Sequence, residues 1–185
     1  MMKIHLHRFN IYLLAALALG ILCSCQTAES KRKNQLSTLR VYQEVNRDAT
    51  GHSQQVPIYR AHPYKLTIAD APFLEEKYVK AAKVVDVIGG FALEVDFDRR
   101  GTWLFEQYTA ASRGKHIAIF SQFVEPSQEK LNEGRWLAAP LIQVPITNGV
   151  FIFTPDATRQ EAEAVAQGLN NVAKKLATGK DPRFD

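Results

Sequence analysis

Residues 91–97 (FALEVDF) alternate without a break: Phe91, Leu93, Val95 and Phe97 fall on one face, Ala92, Glu94 and Asp96 on the other. A period of two held over that length demands a strand with one buried and one wet face. Such a strand needs neighbours, and the flanking sequence supplies them. In front, the β-branched run 84–88 and Gly89-Gly90 predict a hairpin with a two-residue loop. Behind, Thr102 is placed to cap a helix running to Arg113, with Leu104, Tyr108 and Ala111 as its apolar stripe and Gly114 at its end. Residues 116–123 then return as a strand.

The same order recurs further on. Residues 136–146 predict a strand interrupted by Pro140 and Pro145, which places it at a sheet edge. Asn148-Gly149 is a strong turn signal into residues 150–153. Thr158 and Glu161 form a capping box, followed by Ala162, Val165, Ala166, Leu169, Val172 and Leu176 at helical spacing. Between the two halves, residues 125–135 are a charged insertion, read as a surface loop or one helical turn.

Upstream, residues 36–45 suit a strand or a short helix, and residues 47–55 a polar loop. Residues 56–59 and 64–68 are strand pieces split by Pro63. Asp70-Ala71-Pro72 predicts the start of a helix over 73–82, with Glu75 and Glu76 in its first turn. The expectation is an α+β domain: an antiparallel sheet with two main helices packed on one face.

The first 24 residues are an address. Lys3 and Arg8 precede a compact apolar block at 11–22 that is short for crossing a bilayer. Leu22-Cys23-Ser24-Cys25 is similar to a bacterial lipobox, with Cys25 as the acylated residue. An uncleaved anchor helix and an unlipidated export signal are the alternatives. Acyl chains contribute about 0.8 kcal/mol per buried methylene, so two or three of them hold a domain stably at a membrane. Residues 25–35 then serve as lipidated cysteine and flexible tether, whose ten residues after Cys25 reach about 17 Å root-mean-square. Residues 36–185 form a single domain. By resemblance to Gram-negative lipoproteins, Gln26 rather than Asp after the cysteine implies sorting to the outer membrane if the organism is Gram-negative. Removing Lys3 and Arg8 from the 23 basic residues leaves 21 against 19 acidic ones, too even a balance to imply nucleic acid.

The chain offers no catalytic set. Both cysteines, Cys23 and Cys25, lie ahead of the domain, so the domain has neither a disulfide nor a thiol nucleophile. His52, His62 and His116 lack the spacing of a zinc site, and no GxSxG elbow is present. Glu94, Asp96 and Asp98 sit two apart on a strand, which is the pattern of a wet sheet face more than of a calcium loop. No cofactor or metal is expected, and the chain is read as a non-enzyme.

A family resemblance follows from these same residues. Asp98-Arg99-Arg100-Gly101, Phe105, Thr109, Gly114-Lys115 and Ile117-Ala118-Ile119 form one series. Ala139-Pro140-Leu141-Ile142, Ile146, Asn148-Gly149, Ile152, Phe153-Thr154 and Glu161-Ala162 form a second. In order and spacing, over roughly residues 66–176, both resemble the periplasmic head subdomain of SecD and SecDF, the membrane component that assists protein export. The insertion at 125–135 and Phe153, where the family has glycine, are departures. The resemblance implies a SecDF head-like sandwich on a lipoprotein facing the periplasm of a bacterial envelope. It implies a role in binding unfolded polypeptide, the Sec translocon or an envelope protein, as an accessory to export. The sequence holds none of the carboxylate-bearing membrane helices that drive transport in those proteins, so translocase activity is not carried over. Tyr59, Tyr64 and Trp136 are the candidate partner contacts, along an exposed sheet edge. The alternative is a structural envelope component with no unfolded client.

Overall fold

A computed structural model describes residues 35–46, 51–125 and 131–182. The expected leader, Cys25, most of the tether, part of the loop at 47–55 and the middle of the charged insertion lie outside the described residues. In chain order the strands are β1 (Arg40–Gln43), β2 (Ser53–Ile58), β3 (Tyr64–Ala69), β4 (Leu74–Glu75), β5 (Val79–Val87), β6 (Gly90–Phe97), β7 (Ile117–Ser121), β8 (Arg135–Ala138) and β9 (Val150–Phe153). A single 3-10 turn (Glu76–Tyr78) leads into β5. Helix α1 (Arg99–Ala111) follows β6 and helix α2 (Arg159–Ala177) follows β9.

Every strand pairing is antiparallel, which, with the two helices, is the expected α+β class. The strands divide into three ladders: β4-β1-β7-β8, β2-β3 and β5-β6-β9. A bridge between Glu44 and Ile68 ties the end of β1 to β3. Of the residues read as strand or short helix at 36–45, 40–43 are a strand, paired along its length with β7, with isolated bridges at Ser37 and Glu44.

The alternation of residues 91–97 is realised as β6, with Leu93 and Val95 fully buried. The loop to β5 is Ile88-Gly89, one residue earlier than expected, because Val87 and Gly90 still pair. Buried Phe105 of α1 fills the space over this sheet, its ring 5.2 Å from Phe97 and 4.8 Å from Phe151. Helix α2 closes the same core with Val165 and Leu169, both inaccessible. Its capping box forms as predicted. Gly168 lets the helix lie directly on the start of the fold: a Cβ there would stand 2.6 Å from the backbone nitrogen of Ser37.

Three local expectations are corrected. The helix foreseen over 73–82 is β4, the 3-10 turn and the first part of β5. A β-bulge between Val79 and Ala81 turns Val79 and Ala82 to the same buried face. That spacing of three imitates a helical stripe. Helix α1 begins a turn before Thr102, because Asp98 is the cap and its Oδ1 accepts the Gly101 N–H at 2.7 Å. Its buried face is accordingly Gly101, Phe105 and Thr109, not the Leu104–Tyr108–Ala111 stripe. Finally, the strand at 136–146 stops at Ala138, before Pro140. It is an edge strand as expected, but the prolines lie beyond it.

A groove between the hairpin and the edge strand

Pro57 of β2, the turn residues Tyr59, Arg60 and Pro63, and Gly134, Arg135 and Trp136 at the start of β8 surround a groove of about 430 Å³. β2 and β8 each have one hydrogen-bonded neighbour, and the groove lies between them. That volume suits a few side chains of an extended segment. Its lining is aromatic rings, proline rings and two guanidinium groups.

The β2–β3 turn reaches the groove in a strained shape. Tyr59 has φ 64, the one non-glycine residue with a left-handed backbone among those described. Such a conformation costs of order 1 kcal/mol or more and persists where its surroundings hold it. Arg60 does the holding. Its backbone N–H donates to Asp156 Oδ2 at 2.7 Å, its Nε to the same oxygen at 3.3 Å, and its Nη2 to Oδ1 and the carbonyl oxygen of Asp156, each at 3.3 Å. Asp156 in turn donates its N–H to the Leu137 carbonyl at 2.6 Å, joining the turn to β8 just ahead of α2. Partial burial pushes the Asp156 carboxyl up, but the hydrogen bonds and charge of Arg60 outweigh it and hold it below the usual carboxylate range.

The opposite wall is equally fixed. Arg135 Nη2 lies 2.8 Å from Glu161 Oε2, and its guanidinium sits 4.9 Å over the Phe123 ring. Glu161 also accepts the Thr158 N–H in the capping box at 2.7 Å. Burial pushes Glu161 up, yet the Thr158 N–H and Arg135 bring it below its ordinary value. Gly134 (φ 87) admits no side chain, since a Cβ would meet Phe120 Cζ at 2.2 Å. Asn132 Oδ1 accepts the N–H groups of Phe123 and Gly134, each at 3.1 Å, so the base of the charged insertion is tied down.

Two of the three predicted contact residues, Tyr59 and Trp136, therefore line one groove. Tyr64 does not line it, but its ring lies 6.1 Å from Tyr59 and 6.3 Å from His116. Trp136 is half-buried, its ring 5.2 Å from Phe120 and 5.3 Å from Tyr42, so it belongs to a small second core as much as to the surface. Sequence reasoning missed Arg60, Arg135 and Asp156. Arg60 and Asp156 stand far apart in the chain and carry no local signal. Among the described residues no three His, Cys, Asp or Glu side chains gather as a metal site. Glu94 pairs with Lys83 at 2.8 Å and Asp98 caps α1, while His116 Nδ1 lies 2.9 Å from Glu44.

The fold is similar to that in a solved structure of SecDF, a membrane component that enhances protein export. The TM-score is 0.52 at 20% identity, over 79% of this chain and 67% of that one. SecDF in its super-membrane-facing form gives a TM-score of 0.51, also at 20% identity, over 78% of this chain but 21% of that one. This chain thus spans about a fifth of the length of that second protein. No curated protein sequence matches it. The family profile described as SecDF, P1 head subdomain, matches residues 53–173, from β2 well into α2 and including every residue that lines the groove. The chain belongs to the SecDF P1 head subdomain family.

Proposed function

We propose that this domain is a non-catalytic module that holds a short extended stretch of polypeptide in the groove between β2 and β8, at the bacterial envelope and in the service of protein export. The observation that carries the reading is the groove itself: Tyr59, Trp136, Pro57 and Pro63 supply flat apolar walls, and the two guanidinium groups are already committed to carboxylates. Such a lining favours apolar and aromatic side chains over a charged ligand. Because Asp156 already takes the Leu137 carbonyl on β8, side-chain contacts rather than a long added strand dominate recognition.

Acylation at Cys25 places the module at the membrane, facing the periplasm, with the outer membrane favoured by Gln26 in a Gram-negative cell. The mass of the mature N-terminal peptide tests this part: an acylated cysteine at residue 25 supports it, and an unmodified peptide starting elsewhere overturns it.

The binding reading is tested with Tyr59→Ala. The side chain is 40% exposed, so its loss leaves both cores intact. Trp136→Ala is the poorer probe, since it also opens a cavity against Phe120 and Tyr42. With a labelled, permanently unfolded polypeptide as ligand, anisotropy should show Tyr59→Ala weakening binding about tenfold, as for an aromatic hot spot. Unchanged affinity would remove the groove from the account. No binding by the folded wild-type chain would favour a structural envelope component instead.

A further inference from the structure

Two adjacent asparagines on α2 fix what surrounds the helix's C-terminal half. Asn170 satisfies both backbone groups of Ala82 on β5, accepting its N–H at 2.9 Å and donating to its carbonyl at 2.8 Å. Asn171 donates to the carbonyl of Gln35, where the described chain starts, at 2.9 Å. At the other end, Arg159 pairs with Asp86, so β5 and α2 run past each other in opposite directions. Lys80, two residues before Ala82, is therefore displaced toward the C-terminal end of the helix. Lys174 and Lys175 stand one turn beyond the two asparagines, and Lys180 follows. Lys80, Lys174 and Lys180 are exposed, Lys175 is half-buried, and none has a carboxylate partner among the described residues.

The acids nearby compensate this charge only in part. Glu75 is paired with Lys77, and Glu76 accepts the Leu39 N–H at 3.2 Å. Asp181 is the acid next to Lys180. Lys174 and Lys175 do offset the negative end of the helix dipole. That does not account for Lys80, which stands on a strand.

We propose that this lysine-rich end docks on an anionic phospholipid surface. The inference rests on the lipid-anchored reading, which delivers the chain to a membrane by the same end of the fold. Each basic residue near an anionic leaflet strengthens attachment about fivefold, within roughly a Debye length of 10 Å at 0.1 M salt. Helix α2 then sets the orientation. Glu161, bonded to Arg135 in the groove, precedes Lys175 by about 21 Å of helix at 1.5 Å per residue. Docking by the lysines holds the groove away from the headgroups and open to the periplasm.

The test uses the full chain isolated from bacterial membranes and placed in nanodiscs of phosphatidylcholine, with or without phosphatidylglycerol. Brief acylation of amines is read by mass spectrometry. The expected result is severalfold slower modification of Lys80, Lys174 and Lys175 in the anionic discs, reversed by high salt, with Lys65 on β3 unchanged. Replacing the three lysines with glutamine should abolish the protection of Lys180 in the same discs. Equal modification in both lipids, or protection of Lys180 that survives the triple replacement, overturns the proposal. Retention of the chain on uncharged discs at high salt reports the acyl anchor separately, so its failure is distinguishable from that of docking.

Discussion

Asp156 carries more of the groove's geometry than any of its neighbours. One carboxylate receives the backbone and side chain of Arg60, and the same residue's N–H reaches Leu137. Remove its charge and the left-handed Tyr59 loses the contact that sets its turn. Asp156 and Glu161 both titrate lower when folded than when unfolded. They therefore contribute stability that is present above the ordinary carboxylate values, near pH 4, and is lost as pH falls through the lower folded values. Thermal melts should show stability declining on acidification below about pH 4. Asp156→Asn should lower stability at neutral pH by about 1 kcal/mol and flatten that decline. A variant with the wild-type acid profile would show that the Arg60 contacts are not formed in solution.

At the scale of elements, what the sequence reveals depends on how local the determinants are. β6, α2 and the Asn148-Gly149 turn are written in consecutive residues: an unbroken alternation, a capping box with an apolar stripe, and a glycine at φ 71. All three are legible. β5 is not, because a bulge gives it helical spacing and because Asn170, far along the chain, completes the hydrogen bonding of Ala82. The start of α1 is misread for a related reason, since Asp98 looks like the last wet residue of a strand until its carboxylate is seen at Gly101. Of the groove, the aromatics were visible and the ion pairs were not. Asn170→Ala should leave both backbone groups of Ala82 without partners and cost about 1–3 kcal/mol. Hydrogen exchange should quicken at the Ala82 amide before it does in β6. Uniform quickening across the sheet would instead mean that β5 opens only with the whole domain.

For the whole molecule, family membership and the groove point the same way, while length limits what can be transferred. The chain spans about a fifth of SecDF in its super-membrane-facing form, and among the described residues no helix is long and apolar enough to cross a membrane. The groove's walls come from a hairpin and its turn and an edge strand, pinned by ion pairs to Asp156 and to Glu161 in the first turn of α2. That construction gives a preformed site, which keeps the ordering cost of binding low.

The measurement that tests this account most directly is photo-crosslinking in living cells, with a photoreactive phenylalanine analogue at Tyr59 and, as control, at exposed Trp103 on α1. The account predicts adducts of many sizes from Tyr59, captured from exported chains that have not yet folded and lost when export is blocked, and few from Trp103. Equal yields from the two positions, or one discrete adduct at Tyr59 that persists when export stops, would contradict it.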